Sequence, residues 1–164
     1  MASRVRGRTE LGTEIERKFL VTGAGYKHGI VGDLYRQGYL STAKERTVRV
    51  RTAAGKGFLT VKGPNVGFSR SEFEYEIPLR DAEEMMSLCE GFLIEKLRHR
   101  VSHSGLTWEV DEFLGANEGL VVAEIELKAE GQHFELPSWI GEEVTSDPRY
   151  ANSNLCRKPY KSWG

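Results

Sequence analysis

The stretch Arg70-Ser71-Glu72-Phe73-Glu74-Tyr75-Glu76-Ile77 alternates charged or polar side chains with apolar ones. Successive side chains of a β-strand point to opposite faces, so this period-two pattern predicts a strand with one charged and one apolar face. Working outward, strands are predicted at residues 14–21, 35–40, 46–52, 58–62, 70–79, 94–102, 107–113 and 120–128. About eight antiparallel strands can close into a barrel with room for side chains or one small ligand.

Turn and cap signals divide these strands. A glycine-containing turn at residues 53–57 joins two alternating runs and predicts a hairpin. Residues 81–89 are predicted to be helical, with Asp81 as a candidate N-cap and Gly91 as a stop signal. From Pro137 onward, short helical pieces and loops are expected. The fold class is therefore mainly β, a closed eight-stranded antiparallel barrel with peripheral helices that cover its apolar outer face.

The chain of 164 residues has the length of one domain. Residues 1–11 are basic and polar without periodicity, so a flexible arm or an expression remnant is expected there, and a single domain over residues 12–164. No apolar run resembles a signal peptide or a membrane span, which predicts a cytoplasmic protein. Cys89 and Cys156 are expected to be reduced thiols, and the histidines lack metal-ligand spacing.

The charged faces are segregated by sign. Arg49 and Arg51 share one strand, and Glu124 and Glu126 share another, at a spacing of about 7 Å. Alternation alone also fits an ordinary sheet with a solvated charged face. Such a face would usually mix its signs. Strands of opposite sign facing each other across a barrel would compensate one another, which favours a charged, water-filled tunnel.

The segment Glu14-Ile15-Glu16-Arg17-Lys18 matches the Glu-x-Glu-x-Lys signature of the CYTH, or triphosphate tunnel metalloenzyme, superfamily. The match continues in order and spacing through residues 47–51, 58–63, 70–76, 95–98, 108–111, 123–126 and 152–155. The chain thus resembles this superfamily, and in particular its small inorganic triphosphatases, over nearly all of residues 13–160. The resemblance implies an eight-stranded tunnel that binds triphosphate compounds together with a divalent metal.

A triphosphate needs cations along its length and a metal that bridges its oxygens. The candidate substrate-binding residues are Arg49, Arg51, Lys62, Arg98 and Arg100. The metal ligands implied by the resemblance are Glu14, Glu16 and Glu126, with Glu124 and Asp111 as additional or second-metal ligands for Mg²⁺ or Mn²⁺. For each of these residues the alternative is an ion pair that only balances charge.

The candidate catalytic residues are Lys18, Lys96, Glu72 and Glu74. Lys18 is expected beside the phosphates. Neighbouring cations disfavour the charged form of Lys96, which makes it a candidate base, while a second metal ion is the competing means of activating water. Glu72 and Glu74 either position water or balance charge. The segment 154–160 either closes one mouth of the tunnel or forms a solvated tail.

These features predict a metal-dependent hydrolase that converts inorganic triphosphate to pyrophosphate and phosphate. The alternatives are a nucleoside or thiamine triphosphatase, a class IV adenylyl cyclase, and a non-catalytic polyphosphate- or nucleotide-binding module. A compact chain without an evident insertion favours the inorganic substrate, and the complete carboxylate set argues against a pure binder. The expected partner is a triphosphate-containing small molecule, with no nucleic acid and no membrane, and the protein is expected to be a monomer or a homodimer.

Overall fold

A computed structural model describes residues 3–4, 13–67 and 69–164 of the chain. Within these ranges there are ten strands: β1 Ser3–Arg4, β2 Thr13–Val21, β3 Asp33–Ser41, β4 Thr47–Ala53, β5 Lys56–Lys62, β6 Ser69–Ile77, β7 Glu90–His103, β8 Leu106–Phe113, β9 Val121–Glu126 and β10 Ile140–Glu143. The α-helices are α1 Leu79–Met86 and α2 Asn152–Leu155. Single 3₁₀ turns lie at Gly25–Lys27, Gly115–Asn117, Pro148–Tyr150 and Tyr160–Ser162.

Eight of the strands close into an antiparallel barrel. Around its wall the order is β6, β5, β4, β3, β7, β8, β9, β2, and the ring closes where Glu14 of β2 pairs with Arg70 of β6. The short strands β1 and β10 extend the sheet outside the ring, on β6 and β2. The predicted eight-stranded antiparallel barrel is therefore confirmed. Apart from Ser3 and Arg4, the predicted N-terminal arm lies outside the described residues.

Two apolar clusters lie outside the barrel wall. Ala82 and Met86 of α1 are buried against Val50 of β4. On β2 and β8 the outward-facing Phe19 and Trp108 belong to a second cluster that includes Trp139 and Tyr26. The peripheral cover is thus helical over β4 and β5, but over β2, β8 and β9 it consists mainly of loop residues.

One end of the barrel interior is apolar and is filled by the C-terminal segment. Leu155 of α2 is fully buried among residues that include Tyr39 of β3, Phe113 of β8 and Val122 of β9. The neighbouring Cys156 is buried as well. Of the two expectations for the segment 154–160, closure of the barrel describes this first part, whereas Arg157 and Lys158 are exposed.

Two local predictions around α1 were wrong. The helix begins at Leu79, directly after Pro78, so Asp81 lies in its first turn and is not the N-cap. Pro78 itself occupies the N-cap position, with φ of −54° and ψ of 135°, and no side chain caps the helix. Gly91 does not stop the helix but lies inside β7, with φ of 67°. The strand β10 was also not predicted, because four residues are too few to show an alternating pattern.

Gly91 allows the C-terminal segment to approach β7. A Cβ atom at this position would lie 2.3 Å from the carbonyl oxygen of Cys156. That oxygen accepts a hydrogen bond of 2.6 Å from the backbone N–H of Phe92. Because Gly91 has no side chain, α2 can enter the barrel at this point.

No helix within the described ranges is long and apolar enough to cross a membrane.

Gly91→Ala is expected to destabilise the fold more than Gly29→Ala. Both glycines have positive φ, 67° and 65°, so a Cβ atom adds similar backbone strain of about 1–2 kcal/mol. The space around a Cβ at Gly29 is open, whereas at Gly91 the backbone of Cys156 must move. Urea unfolding should give Gly91→Ala an additional loss of about 1–3 kcal/mol. Equal losses would mean that docking of the C-terminal segment does not contribute to stability.

Candidate active site in the barrel interior

The inward faces of all eight barrel strands enclose a cavity of about 450 Å³. The predicted site residues that line it are Glu14, Glu16, Lys18, Arg49, Arg51, Lys62, Glu72, Glu74, Lys96, Arg98, Arg100, Glu124 and Glu126. A second cavity of about 510 Å³ adjoins it and shares Glu14, Glu16 and Lys18. The charged residues of the alternating strands therefore share one cavity, although the strands are far apart in the chain.

The wall of the cavity has a basic and an acidic part. The strands β4 and β7 carry Arg49, Arg51, Lys96, Arg98 and Arg100, and β3 lies between them, whereas Arg70 lines the cavity from β6. The consecutive strands β8, β9, β2 and β6 carry the carboxylates. Because neighbouring strands of one wall carry charges of the same sign, many charged side chains are balanced by opposite charges from the other wall. These partners lie across the barrel or on the strands where the two walls meet.

Glu74 balances two arginines of the basic wall. Its Oε2 atom accepts hydrogen bonds from Nη2 of Arg49 at 3.2 Å, from Nη2 of Arg51 at 3.4 Å and from the Thr60 hydroxyl at 2.9 Å. Burial, reinforced by Arg49, lowers the pKa of Arg51 to about 10, so its guanidinium stays charged at neutral pH. Of the two expectations for Glu74, these contacts support charge balance.

Asp111 is the predicted site residue that does not line the cavity. It is fully buried. Its two oxygens accept hydrogen bonds of 2.7 Å from Nε and Nη2 of Arg98, and Nζ of Lys96 lies 2.7 Å from Oδ2. Burial raises the pKa of this carboxyl, but the two cations more than offset that effect and hold the pKa well below its usual range. The geometry gives no support to the predicted role of Asp111 as a metal ligand.

Lys96 has the depressed pKa that the sequence predicted, but for a different main reason. Its side chain is almost completely buried. Burial lowers its pKa to about 8; Asp111 opposes this shift and Arg98 reinforces it. Neighbouring cations therefore contribute, as predicted, but loss of hydration is the larger cause. Near pH 8 the amine would be partly neutral.

Arg100 lies at the edge of the cavity, with its side chain 50% exposed. It donates a hydrogen bond of 2.5 Å to the Tyr35 hydroxyl and lies 3.4 Å from Asp33. The same solvent that surrounds Arg100 screens its interactions, so its hold on an anion is weaker than that of the enclosed arginines.

The acidic wall carries more negative charge than its lysines balance. Glu16 and Glu126 are register partners on β2 and β9, and Glu14 lies on the same face of β2. Burial and the nearby Glu14 raise the pKa of Glu16. Burial, with repulsion from Glu14, Glu72 and Glu16, raises the pKa of Glu126 to about 8 although its side chain remains partly exposed. Burial and Glu16 also raise the pKa of Glu124.

Two lysines compensate part of this charge. Nζ of Lys62 lies 2.9 Å from Glu14 and 3.8 Å from Glu72. Nζ of Lys18 lies 3.7 Å from Glu16 and 3.8 Å from Glu124. The remaining excess of carboxylate oxygens fits the donor chemistry of a hard divalent cation. In the part of the chain that the structure describes, no three acidic, histidine or cysteine side chains converge to enclose an ion by themselves.

Several residues that line the cavity were not predicted from the sequence. The ring of Tyr35 lies 5.1 Å from the guanidinium of Arg51 and 4.9 Å from that of Arg98. Tyr39 and Asn152 also line the cavity. The predicted strand at residues 35–40 contained the signal, because Tyr35, Gln37 and Tyr39 alternate along it. That this strand lies between the two arginine strands follows only from the topology.

A closed barrel whose basic and acidic walls line one cavity has the architecture of a triphosphate tunnel enzyme, because it offers a polyanion and a cation adjoining sites. Residues 12–160 match the CYTH domain model, and the chain belongs to this family. The superfamily predicted from the signature at residues 14–18 is thereby confirmed. Membership implies a divalent metal ion as cofactor.

Similar proteins are found both by sequence and by structure. The chain is 57% identical over 154 residues to an inorganic triphosphatase of Acetivibrio thermocellus, covering 93% of this chain and 99% of that protein. It is 38% identical over 149 residues to an inorganic triphosphatase of Nitrosomonas europaea, covering 87% of this chain and 96% of that protein. The crystal structure of an inorganic triphosphatase superposes with a TM-score of 0.65 at 34% identity, over 87% of this chain and 93% of that one.

Asp111→Asn should destabilise the protein much more than Glu109→Gln. The first change leaves the buried Lys96 and Arg98 without their shared carboxylate, a loss of about 3–5 kcal/mol. The second change removes the charge of Glu109, a partner of Arg98. The side chain of Glu109 is 34% exposed, so the expected loss of stability is about 0–1 kcal/mol. Chemical unfolding at pH 7 measures both. Similar losses would contradict the structural role of Asp111.

The stability of the metal-free protein should report the raised pKa of Glu126. A carboxyl with a raised pKa in the folded state stabilises that state below its usual value of 4.5, and this contribution is lost as the pH rises toward about 8. The melting temperature of the wild type should therefore fall over this range more than that of Glu126→Gln. Parallel curves for the two proteins, recorded in a chelator-containing buffer, would disprove the shift.

Proposed function

We propose that the protein hydrolyses inorganic triphosphate to pyrophosphate and phosphate, with Mg²⁺ or Mn²⁺ as cofactor. The observation that carries this proposal is the basic wall of the tunnel standing beside an acidic wall with uncompensated carboxylates. Two relatives named inorganic triphosphatases, which the chain matches over nearly their whole length, support it. The cytoplasmic location and the monomeric or homodimeric state stay predictions from the sequence.

The basic wall is prepared for phosphoryl oxygens. The Nε atoms of Arg49 and Arg51 are buried and have no hydrogen-bond partner within the described ranges. A buried donor without a partner is unfavourable by about 1–3 kcal/mol, and a phosphoryl oxygen would remove that penalty. The planar fork of arginine also suits two-point contact with phosphate. We assign triphosphate binding to Arg49, Arg51 and Arg98, with Lys62 and Arg100 at the margins.

The lining of the cavity favours an inorganic substrate over a nucleotide. A nucleobase is usually held by apolar or aromatic surface. The aromatic residues of the lining are Tyr35, Phe58 and Tyr39. The guanidinium of Arg51 lies 5.1 Å and 5.4 Å from the ring centres of Tyr35 and Phe58, and Tyr39 is buried in the apolar cluster with Leu155. The first two rings are therefore already in contact with a cation, and the third is covered. A second candidate, a nucleoside or thiamine triphosphatase, lacks a comparable free surface among the described lining residues.

Glu14, Glu16 and Glu126, with Glu124, would hold the divalent ion, and Asp111 is left out because its oxygens serve Arg98 and Lys96. When bound, the ion would neutralise phosphoryl oxygens and lower the pKa of a coordinated water. The usual coordination of Mg²⁺ includes several waters and substrate phosphates, so a few carboxylates are enough. Lys18 and Lys62 would keep these carboxylates apart in the absence of the ion.

The attacking water could be deprotonated in two ways. The first uses Lys96 as the base, because its amine is partly neutral near pH 8 and it lies in the lining of the cavity. In the second, residues on the Glu124 side of the acidic wall would hold a second metal ion, which would lower the pKa of a bound water enough for its proton to pass to solvent. Bound triphosphate favours the charged form of Lys96, because an anion beside an ammonium group raises its pKa. The lysine would then act first as a substrate-binding cation.

The proposed function is tested by phosphate release from tripolyphosphate, ATP, thiamine triphosphate and pyrophosphate with Mg²⁺ or Mn²⁺. Tripolyphosphate should be hydrolysed fastest, and omission of the metal should abolish turnover. Glu16→Gln serves as the matched control for contaminating phosphatases. It should lower the rate by about 100-fold or more while leaving the melting temperature unchanged or higher, because repulsion from Glu14 disappears.

The other outcomes lead to different functions. Faster turnover of ATP would overturn the assignment of the substrate, and cyclic AMP as the product would make the protein a cyclase. Binding of tripolyphosphate without turnover, under either metal, would leave a non-catalytic binding module.

A further inference from the structure

Asn152 reaches the tunnel from the C-terminal segment. It is the first residue of α2 and lines the cavity together with Ser153. Three residues further on, Leu155 is fully buried in the apolar end of the barrel. The helix is also tied to β7 by the hydrogen bond between Phe92 N–H and the Cys156 carbonyl. Asn152 is therefore held in place by packing and not by its own contacts alone.

The side-chain oxygen of Asn152 is committed to two donors. Nζ of Lys96 lies 3.3 Å from Oδ1, and Nε2 of Gln37 also lies 3.3 Å from it. An ammonium group has only donors, so the amide oxygen and not the amide nitrogen must face Lys96. Gln37 then has to donate through its own NH₂ group, which also reaches the Tyr39 hydroxyl at 3.4 Å. The positive charge of Lys96 therefore determines the amide orientation of both Asn152 and Gln37.

The orientation of the oxygen decides where the NH₂ group of Asn152 points. In a planar amide the nitrogen lies on the arm opposite the oxygen, hence away from Lys96 and Gln37. Nδ2 has no hydrogen-bond partner in the ranges that the structure describes, while Asn152 itself lines the cavity. Beside the cationic Lys96, the tunnel thus receives a neutral donor whose direction is fixed.

We propose that Asn152 is a substrate-binding residue that donates a hydrogen bond from Nδ2 to a phosphoryl oxygen of the triphosphate, with Lys96 and Gln37 fixing its orientation. This inference rests on the proposed function. It assigns to the C-terminal segment a direct part in recognising the substrate, beyond filling the end of the barrel. A donor fixed before binding loses little conformational entropy when the phosphate arrives.

The test compares Asn152→Asp with Asn152→Ala. Aspartate keeps an acceptor for Lys96 and Gln37 but loses the NH₂ group and adds a negative charge. Alanine loses both the acceptor and the donor. If Asn152 only anchored its two neighbours, aspartate would be the milder change in every measurement. If its NH₂ group faces phosphate, aspartate is the milder change for ligand-free stability and the more damaging one for binding.

Affinity is measured by calorimetric titration with tripolyphosphate in the presence of EDTA, and ligand-free stability by thermal unfolding. We expect binding to weaken about 10-fold in Asn152→Ala and further, toward about 100-fold, in Asn152→Asp. The ligand-free melting temperature should follow the reverse order for the two variants. Asn154→Asp places the same charge two residues further along α2, where the side chain bonds Pro148 and Arg157, and controls for long-range repulsion.

Each result decides between the proposals. Binding that is equal to wild type in both variants, or stronger in Asn152→Asp than in Asn152→Ala, would overturn the role of Asn152 and leave the proposed function intact. A loss in Asn154→Asp as large as that in Asn152→Asp would also overturn it, because charge alone would then explain the effect. Failure of the wild type to bind tripolyphosphate, with or without metal, would instead refute the proposed function.

Discussion

Enclosing charges in a barrel requires that each is close to an opposite charge or to water, since an isolated buried ion is strongly unfavourable. The pair of Asp111 on β8 and Arg98 on β7, in which both carboxylate oxygens accept hydrogen bonds of 2.7 Å, meets this constraint where the acidic and basic walls adjoin. Once Arg98 and Lys96 are held there, the arginine strands can face the cavity without collapsing onto the carboxylates of β2 and β9. Many apolar side chains of the strands then lie on the outer face, where α1 and loops cover them, while the C-terminal segment fills the apolar end of the interior.

The same constraint is not fully satisfied inside the cavity, where some donors and carboxylates remain unbalanced. Arg49 and Arg51 share Glu74 as a partner but retain buried Nε donors, and the carboxylates of the acidic wall repel one another. An anion beside the first group and a cation beside the second would relieve both imbalances at once. Binding of these ions would require little rearrangement of the protein, because the strands already hold the charged groups in position.

Much of the fold was predictable from the sequence because strand parity is a local property. The alternation of residues 70–77 gives the direction of each side chain without knowledge of its neighbours. The depth at which a side chain lies in the barrel, in contrast, depends on residues that are distant in the sequence. Asp111 has the parity of a cavity residue, yet it is covered by Lys96 and Arg98 from the next strand. Tyr35 was missed for a related reason, since its contacts depend on which strands flank β3.

The closure of the ring by β2 has a consequence for the synthesis of the chain. β2 leaves the ribosome before its partners, which are β6 and, much later in the chain, β9 and β10. Until those strands emerge, the carboxylates of Glu14 and Glu16 have no wall to join, and the apolar face carrying Phe19 has no cover. Pairings between segments so distant in sequence form slowly, so the nascent barrel passes through a stage with open strand edges. Open edges of this kind can pair with another chain, so aggregation is most favoured before β9 is available.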